Sequence, residues 1–318
     1  MSAAGLVLSL LILSLIIFLT SRLLPGSPLN ALIGDHADML SAQQSKEALA
    51  ALGFDRPLCQ QYFTWLCNLL QGNLGFSLYY KLAISELLPP LLVNTLILGG
   101  LSYILIFALA LALALTCIRF EDSLIDRLIC KLGSLCYFLP SFWLCLLLIL
   151  IFSVSLQWLP SSGAYSYGGQ QDLLDRAEHL VLPCCVMILS HMWYYGSMLR
   201  NRLSLEVRMP YVLTARACGL GPWRILTTVC LRAALPLLIN LMAVSAAHII
   251  GGTYVVEAVF NYPGIGNAAV LSAKNHDYDL LLILTLISGS FIILSAIAAR
   301  FLAAASDPRL KAAAGAVI

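Results

Sequence analysis

The sequence predicts an all-α polytopic membrane protein with six transmembrane helices. Three observations predict it. The 318 residues are 60% hydrophobic and only 11% charged, whereas soluble domains carry about 25% charged residues. Six apolar runs reach the length a helix needs to cross hydrocarbon, about 20 residues. Lys and Arg are also distributed unequally between the connections. A soluble protein of this size would lack the polar side chains to cover its surface, so the expected surroundings are a lipid bilayer. The net charge of +2 gives a nucleic-acid partner no electrostatic support.

The runs cover residues 3–20, 91–118, 132–156, 180–199, 233–256 and 280–299. In lipid every backbone group must be paired within its own segment, so they are helices. The first has no basic flank before it and no small-residue cleavage site before Arg22, so it reads as an uncleaved anchor. Pro140 and Pro183 are read as lying near span ends, where a missing donor is tolerable. Five of the ten cysteines, Cys117, Cys136, Cys145, Cys184 and Cys185, sit in apolar runs as small hydrophobes. Cys59 and Cys67 share a polar segment, where a disulfide is open but unforced.

Orientation follows from the basic residues. One side holds Arg119, Arg127, Lys131, Arg200, Arg202, Arg208, Arg216, Arg224, Arg232, Arg300, Arg309 and Lys311, twelve of the 18. The other holds six: Arg22, Lys46, Arg56, Lys81, Arg176 and Lys274. The positive-inside rule makes the richer side cytoplasmic, with both termini on it. The expected organisation is a first helix at 1–20, an extracytoplasmic segment at 21–90, a core at 91–310 with five further spans, and a tail at 311–318. Within the outer segment, Ser41 is set to cap a helix through "SAQQSKEALAAL" that stops at Gly53. "QYFTWLCNLL" places aromatics at helical spacing, read as an interfacial packing surface rather than a ligand site.

The cytoplasmic loop 200–232 holds the most informative stretch, "YVLTARACGLGPWRILTTVCLRAALP". Met209-Pro210 opens a short helix, Gly219 stops it, and Pro222 starts a second helix that runs into span five. Topology alone accounts for the arginines here. It does not account for two glycines and a proline at a defined break.

"YVLTARACGL" resembles the cytoplasmic motif of ABC importer permeases, in the dipeptide/oligopeptide/nickel branch. Leu213, Thr214, Ala215 and Gly219 occupy the places of the general Glu-Ala-Ala-x-x-x-Gly motif, and the absent Glu and distant Leu235-Pro236 are similar to that branch. "RLLPGSPL", "LGFDRPLCQQYFTWL", "GNLGFS", "LPSFWLCLLLILIFSVSLQWLPSSG", "EAVFNYPGIG" and "SDPRLK" resemble further family segments, in family order, with Ser27 standing where the family has Asp. The usual arginines before the first span are missing, so the start reads as shortened.

The resemblance implies the type I ABC importer permease architecture and the "B"-type permease subunit of a bacterial inner-membrane, ATP-driven importer. One six-span chain would form half of a pathway for peptides or nickel and other metal chelates. Implied partners are two cytoplasmic ATPases, a second homologous permease and an extracytoplasmic substrate-binding protein. The chain has no phosphate-cradling G-x-x-x-x-G-K-[ST] loop, so ATP and Mg are expected on the ATPases, with no cofactor, metal or catalytic residue on this chain. Tyr211, Thr214, Ala215, Arg216, Ala217, Gly219 and Leu220 are then the expected ATPase-coupling residues. The turn with Glu257, Pro263, Gly264 and Gly266 is a candidate outer contact, Glu257 being read as solvated at a span end.

Polar residues inside spans are costly and usually face a partner or cavity. Asn94, His191, Asn240 and His248 are therefore candidate pathway residues, although helix–helix bonding serves Asn94 and Asn240 equally well. His191 and His248, with Cys184, Cys185, Met192 and Met198 near in sequence, fit no metal template. Two other functions compete. An intramembrane serine protease using Ser190 or Ser290 lacks a glycine-framed nucleophile with a placed histidine, and a passive channel needs no such docking loop.

Overall fold

The computed structural model describes residues 3–23, 41–51, 53, 55–169 and 172–306. The expectations placed on "LPGSPL", on Arg309 and Lys311, and on the tail at 311–318 fall outside these residues. The described elements are α1 (Ala3–Leu23), α2 (Ala42–Ala51), α3 (Leu58–Leu70), β1 (Phe76–Ser77), β2 (Leu82–Ala83), α4 (Ile84–Arg119), α5 (Leu124–Phe138) and α6 (Ser141–Leu148). They continue with α7 (Leu173–Val207), α8 (Pro210–Ala217), α9 (Pro222–Arg224), α10 (Leu231–Val259), α11 (Ile265–Lys274) and α12 (Tyr278–Ser306). Two π-helical runs extend them, Ile149–Ser155 after α6 and Ile225–Cys230 joining α9 to α10.

Gly5–Leu23, Ile84–Arg119, Pro222–Ala246 and Tyr278–Ala299 are each long and apolar enough to cross a membrane. A fifth span exists if α5 and the α6 run count as one, but the pair is bent by 103°. The expected straight span at 132–156 is corrected accordingly. Leu139, forced out of helical geometry by the following proline, is extended (φ −73°, ψ 130°), and Pro140 stands as the N-cap of a new helix that begins at Ser141. Pro183 is likewise not near a helix end; it lies inside α7. The expected span 180–199 falls within α7, which is not among the helices apolar enough by themselves. Its ends carry Asp175, Arg176, Glu178, Arg200, Arg202 and Glu206, and many of its residues are buried in protein.

The chain divides into two compact units, residues 1–95 with 263–293 and residues 96–262 with 294–318. In the first, α1 rests on α3: buried Phe18 meets Tyr62 edge-on at 5.3 Å between ring centres, with Trp65 at 6.2 Å. Those are the aromatics at helical spacing, and they serve packing. Ser41 caps α2 in a reciprocal box: its Oγ accepts from Gln44 N and its N–H donates to Gln44 Oε1, at 3.3 and 3.0 Å. Gly53, at φ +76°, follows the helix end. The hairpin β1–β2 is fastened by buried Asp277, whose carboxylate accepts from Ser77 Oγ at 2.5 Å and Tyr79 N at 3.1 Å. Cys59 and Cys67 are both free and exposed on α3. Eight residues of one helix separate them by about 12 Å, beyond disulfide reach.

In the second unit α4, α6, α7 and α10 enclose the core, and α5 packs on the outside of α7. Small residues allow close approach: a Cβ on Gly196 would lie 3.3 Å from Ala110 O, and one on Gly133 only 2.4 Å from the Trp193 indole. Tyr103 Oη donates to Met242 O at 2.6 Å, tying α4 to α10. Asp175 gathers the loop before α7 by accepting from Ser166 Oγ and N at 2.7 and 2.6 Å. Those donors, the hydroxyl first, hold its carboxyl below the ordinary range. The loop's stabilisation is therefore present above the ordinary carboxylate pKa and is lost as pH falls through the depressed value. Hydrogen exchange at the Ser166 amide is expected to accelerate in Asp175→Ala at neutral pH, and in the native chain as pH falls through the depressed carboxyl pKa.

Candidate functional site: the docking helix and its mount

Met209 is extended (ψ 149°) and Pro210 takes the first helical position, where its missing N–H costs nothing. α8 then ends in a Schellman motif. Gly219, at φ +79°, donates its N–H to Arg216 O at 2.9 Å, and Leu220 N–H reaches Ala215 O at 3.2 Å. Gly221 (ψ 155°) and Pro222 restart the helix at once. The loop thus has the form the glycine and proline positions predict.

α8 is two-faced. Val212, 1% exposed, packs into a cluster with Leu199, Leu203, Ile225, Leu226 and Cys230, and Ala215 and Leu220 lie against it. The opposite face presents Thr214, Arg216, Ala217 and Leu213, the last 65% exposed. A helix with an apolar root and a small, half-apolar, singly charged tip is suited to enter a groove on another protein.

Below it, three arginines counted above only for topology are fixed partners. Arg200 grips buried Asp126 with two bonds, Nε–Oδ1 at 3.1 Å and the NH2 nitrogen to Oδ2 at 2.8 Å. Arg208 and Ser204 both donate to Glu121 Oε1 at 3.0 Å. Arg202 meets buried Glu206 at 2.5 Å, and Tyr211 Oη donates to the other oxygen of that carboxylate. No ion pair to Arg216, Arg224 or Arg232 occurs among the described residues, and all three are exposed. Sequence reading passed over Glu121, Asp126 and Glu206. The available signal was three carboxylates beside a basic loop, one of them four residues after Arg202 on the same helix.

The other expected sites fare unequally. Glu257 is 0% exposed, which corrects its reading as a solvated residue at a span end. Gly264 and Gly266 are buried and Pro263 half-buried, so this turn offers little outer surface on the chain. Asn94 Nδ2 donates to Pro263 O at 2.8 Å, and Thr95 Oγ1 accepts from Ile265 N at 2.8 Å; these bonds seat α11 on α4. Asn240 is exposed on α10. His191 and His248 do meet, with ring centres 5.6 Å apart, in a cavity of about 400 Å³ shared with Tyr137, Tyr194, Tyr195 and Ser245. His191 Nδ1 is committed to Met187 O at 2.9 Å. Ser190 Oγ has no hydrogen-bond partner among the described residues, so no base activates it as a nucleophile. The described side chains grouped at ligating distance are Cys117, Asp126 and Cys130, and Arg200 already occupies both oxygens of that aspartate.

Known proteins agree with this architecture. The chain is 30% identical over 303 residues to the oligopeptide transport system permease protein AppB of Bacillus subtilis (strain 168), covering 95% of each. It is 32% identical over 306 residues to a putative peptide permease protein of Brucella suis biovar 1, again covering 95% of each. It is 29% identical over 316 residues to the di/tripeptide transport system permease protein DppB of Pseudomonas aeruginosa (strain UCBPP-PA14), covering 94% of each. Two solved ABC transporters share the fold. One is the methionine transporter MetNI in an inward-facing form (TM-score 0.54, 19% identity, 70% of this chain and 97% of that one). The other is a bacterial importer of the acidic polysaccharide alginate (0.53, 17%, 68% and 77%). The fold is thus the all-α, polytopic type I importer permease architecture. With the family model matching residues 104–312, the chain belongs to the binding-protein-dependent transport system inner membrane components.

Proposed function

We propose that this chain is one of two permease subunits of an ATP-driven importer of peptides, and that α8 is its contact with an ATPase subunit. The observation that carries the reading is α8 itself: rooted by Val212, ended by Gly219, and outward-facing through Leu213, Thr214, Arg216 and Ala217. Nucleotide-driven closure of two ATPases would move this helix and tilt the spans attached to it. Three relatives named as peptide permeases support a peptide cargo over nickel or a metal chelate. A cytoplasmic position for α8 and the termini, a heterodimer with a second permease, and delivery by an extracytoplasmic binding protein complete the reading. The His191–His248 cavity is the candidate stretch of pathway on this subunit.

The test is reconstitution of the complex in liposomes, with ATP-dependent uptake of radiolabelled di- and tetra-alanine measured beside nickel uptake. Gly219→Val puts a β-branched residue at φ +79°, with open space around the new Cβ, so the helix end alone is disturbed. Peptide uptake by the variant is expected to fall about 5- to 150-fold, the effect of 1–3 kcal/mol of backbone strain, with normal membrane insertion. Full uptake in the variant, or nickel uptake without peptide uptake in the native complex, would overturn the reading.

A further inference from the structure

The bond from Tyr211 to Glu206 is the one polar contact described between the docking helix and the long helix that precedes it. Glu206 is 4% exposed, and both its carboxylate oxygens are taken. One meets Arg202 of its own helix at 2.5 Å; the other receives the Tyr211 hydroxyl from the first turn of α8. Only Arg208 and Met209 separate α7 from α8, and both fold back, Arg208 N to Leu205 O at 3.2 Å and Met209 N to Glu206 O at 3.1 Å. The connection therefore has little slack. α7 is in turn fastened to α5 through Arg200–Asp126 and to the turn before α5 through Arg208–Glu121.

From this geometry we infer that Glu206 is the positioning residue of coupling: it locks the angle of α8 on α7, so that a push on α8 rotates α7 and α5 instead of being absorbed at the joint. The inference rests on the proposed importer function. Val212, with Ala215 and Leu220 beside it, would hold α8 near the cluster, but apolar contact is non-directional and fixes the helix angle weakly. The tyrosine–carboxylate bond supplies the second fixed point, and charge-assisted bonds of this kind are short and directional. Burial first, then the bond to Glu206, pushes the Tyr211 phenol up to about 12, so it remains a donor throughout the neutral range.

The experiment uses the reconstituted complex with its ATPases, second permease and peptide-loaded binding protein, and reads peptide transported per ATP hydrolysed. Glu206→Gln keeps the side chain's shape, and Tyr211→Phe removes only a hydroxyl. Each is expected to lower transport per ATP about tenfold, the effect of losing one hydrogen bond to a charged group. Because Glu206→Gln takes the charge from the bond that Tyr211→Phe deletes, and loses the Arg202 pair besides, the double variant is expected to be no worse than Glu206→Gln alone. Tyr211→Phe, which leaves the Arg202–Glu206 pair intact, is expected to retain thermal stability and co-purification with the ATPases. An unchanged ratio in either variant, additive losses in the double variant, or uptake and hydrolysis falling together with ATPase detachment would overturn the inference. Failure of the importer reading is distinguishable, since the native complex itself would then show no ATP-dependent peptide uptake.

Discussion

Asp126→Ala is expected to destabilise the protein by about 3–5 kcal/mol, the usual cost of removing one partner from a buried ion pair. The carboxylate is 3% exposed and its two oxygens hold Arg200 in the paired, planar geometry that suits a guanidinium. It also accepts from Asp122 N at 3.3 Å and from the Cys130 thiol at 3.5 Å, so one truncation leaves four donors, two of them on Arg200, without their acceptor. Most of the cost comes from stranding Arg200, whose side chain is only 23% exposed. Thermal unfolding in detergent measures the loss. The double variant Asp126→Leu/Arg200→Met, which strands no charge, is expected to recover much of it. Equal losses in both would show that packing rather than charge holds this joint.

The second large effect is steric. Gly133→Ala is expected to cost about 1–3 kcal/mol by overpacking, although alanine is the better helix former. The new methyl would sit 2.4 Å from Trp193 Cδ2, and the indole cannot swing aside cheaply, because its Nε1–H donates to Ser134 Oγ at 3.1 Å. Gly100→Ala provides the contrast: nothing lies within 4 Å of its Cβ, so the same substitution on α4 is expected to be neutral or slightly stabilising. Trp193 emission should shift in the first variant and not in the second.

These two sites mark what the sequence could convey. The spans are visible in it because a helix in lipid must be apolar over a fixed length, and Gly219, Pro222, Ser41 and Gly53 punctuate the chain through backbone geometry that each residue carries by itself. The bend after Phe138 escaped, because hydropathy runs unbroken through Leu139–Pro140 and records no direction. The mount of α8 escaped for another reason. Asp126 and Arg200 are 74 residues apart and Glu121 and Arg208 are 87, so nothing local announces them as partners. The fold also overturned the reading of Glu257 as solvated, because position near a span end does not show what packs over it. It paired His191 with His248 but set Asn94 to seating α11.

The π-helical run at Ile225–Cys230 gives α8 its compass bearing. Each of its turns closes from residue i+5 to residue i, as in Leu231 N to Leu226 O, one residue wider than an α-turn. Relaxing that run to α geometry would remove the surplus residue and turn everything before it by about 100° around the α10 axis. α8 would then present its tip to a different quarter. The heading of α8 is thus written into a widened turn several residues away, in a stretch that hydropathy reads only as the beginning of a span.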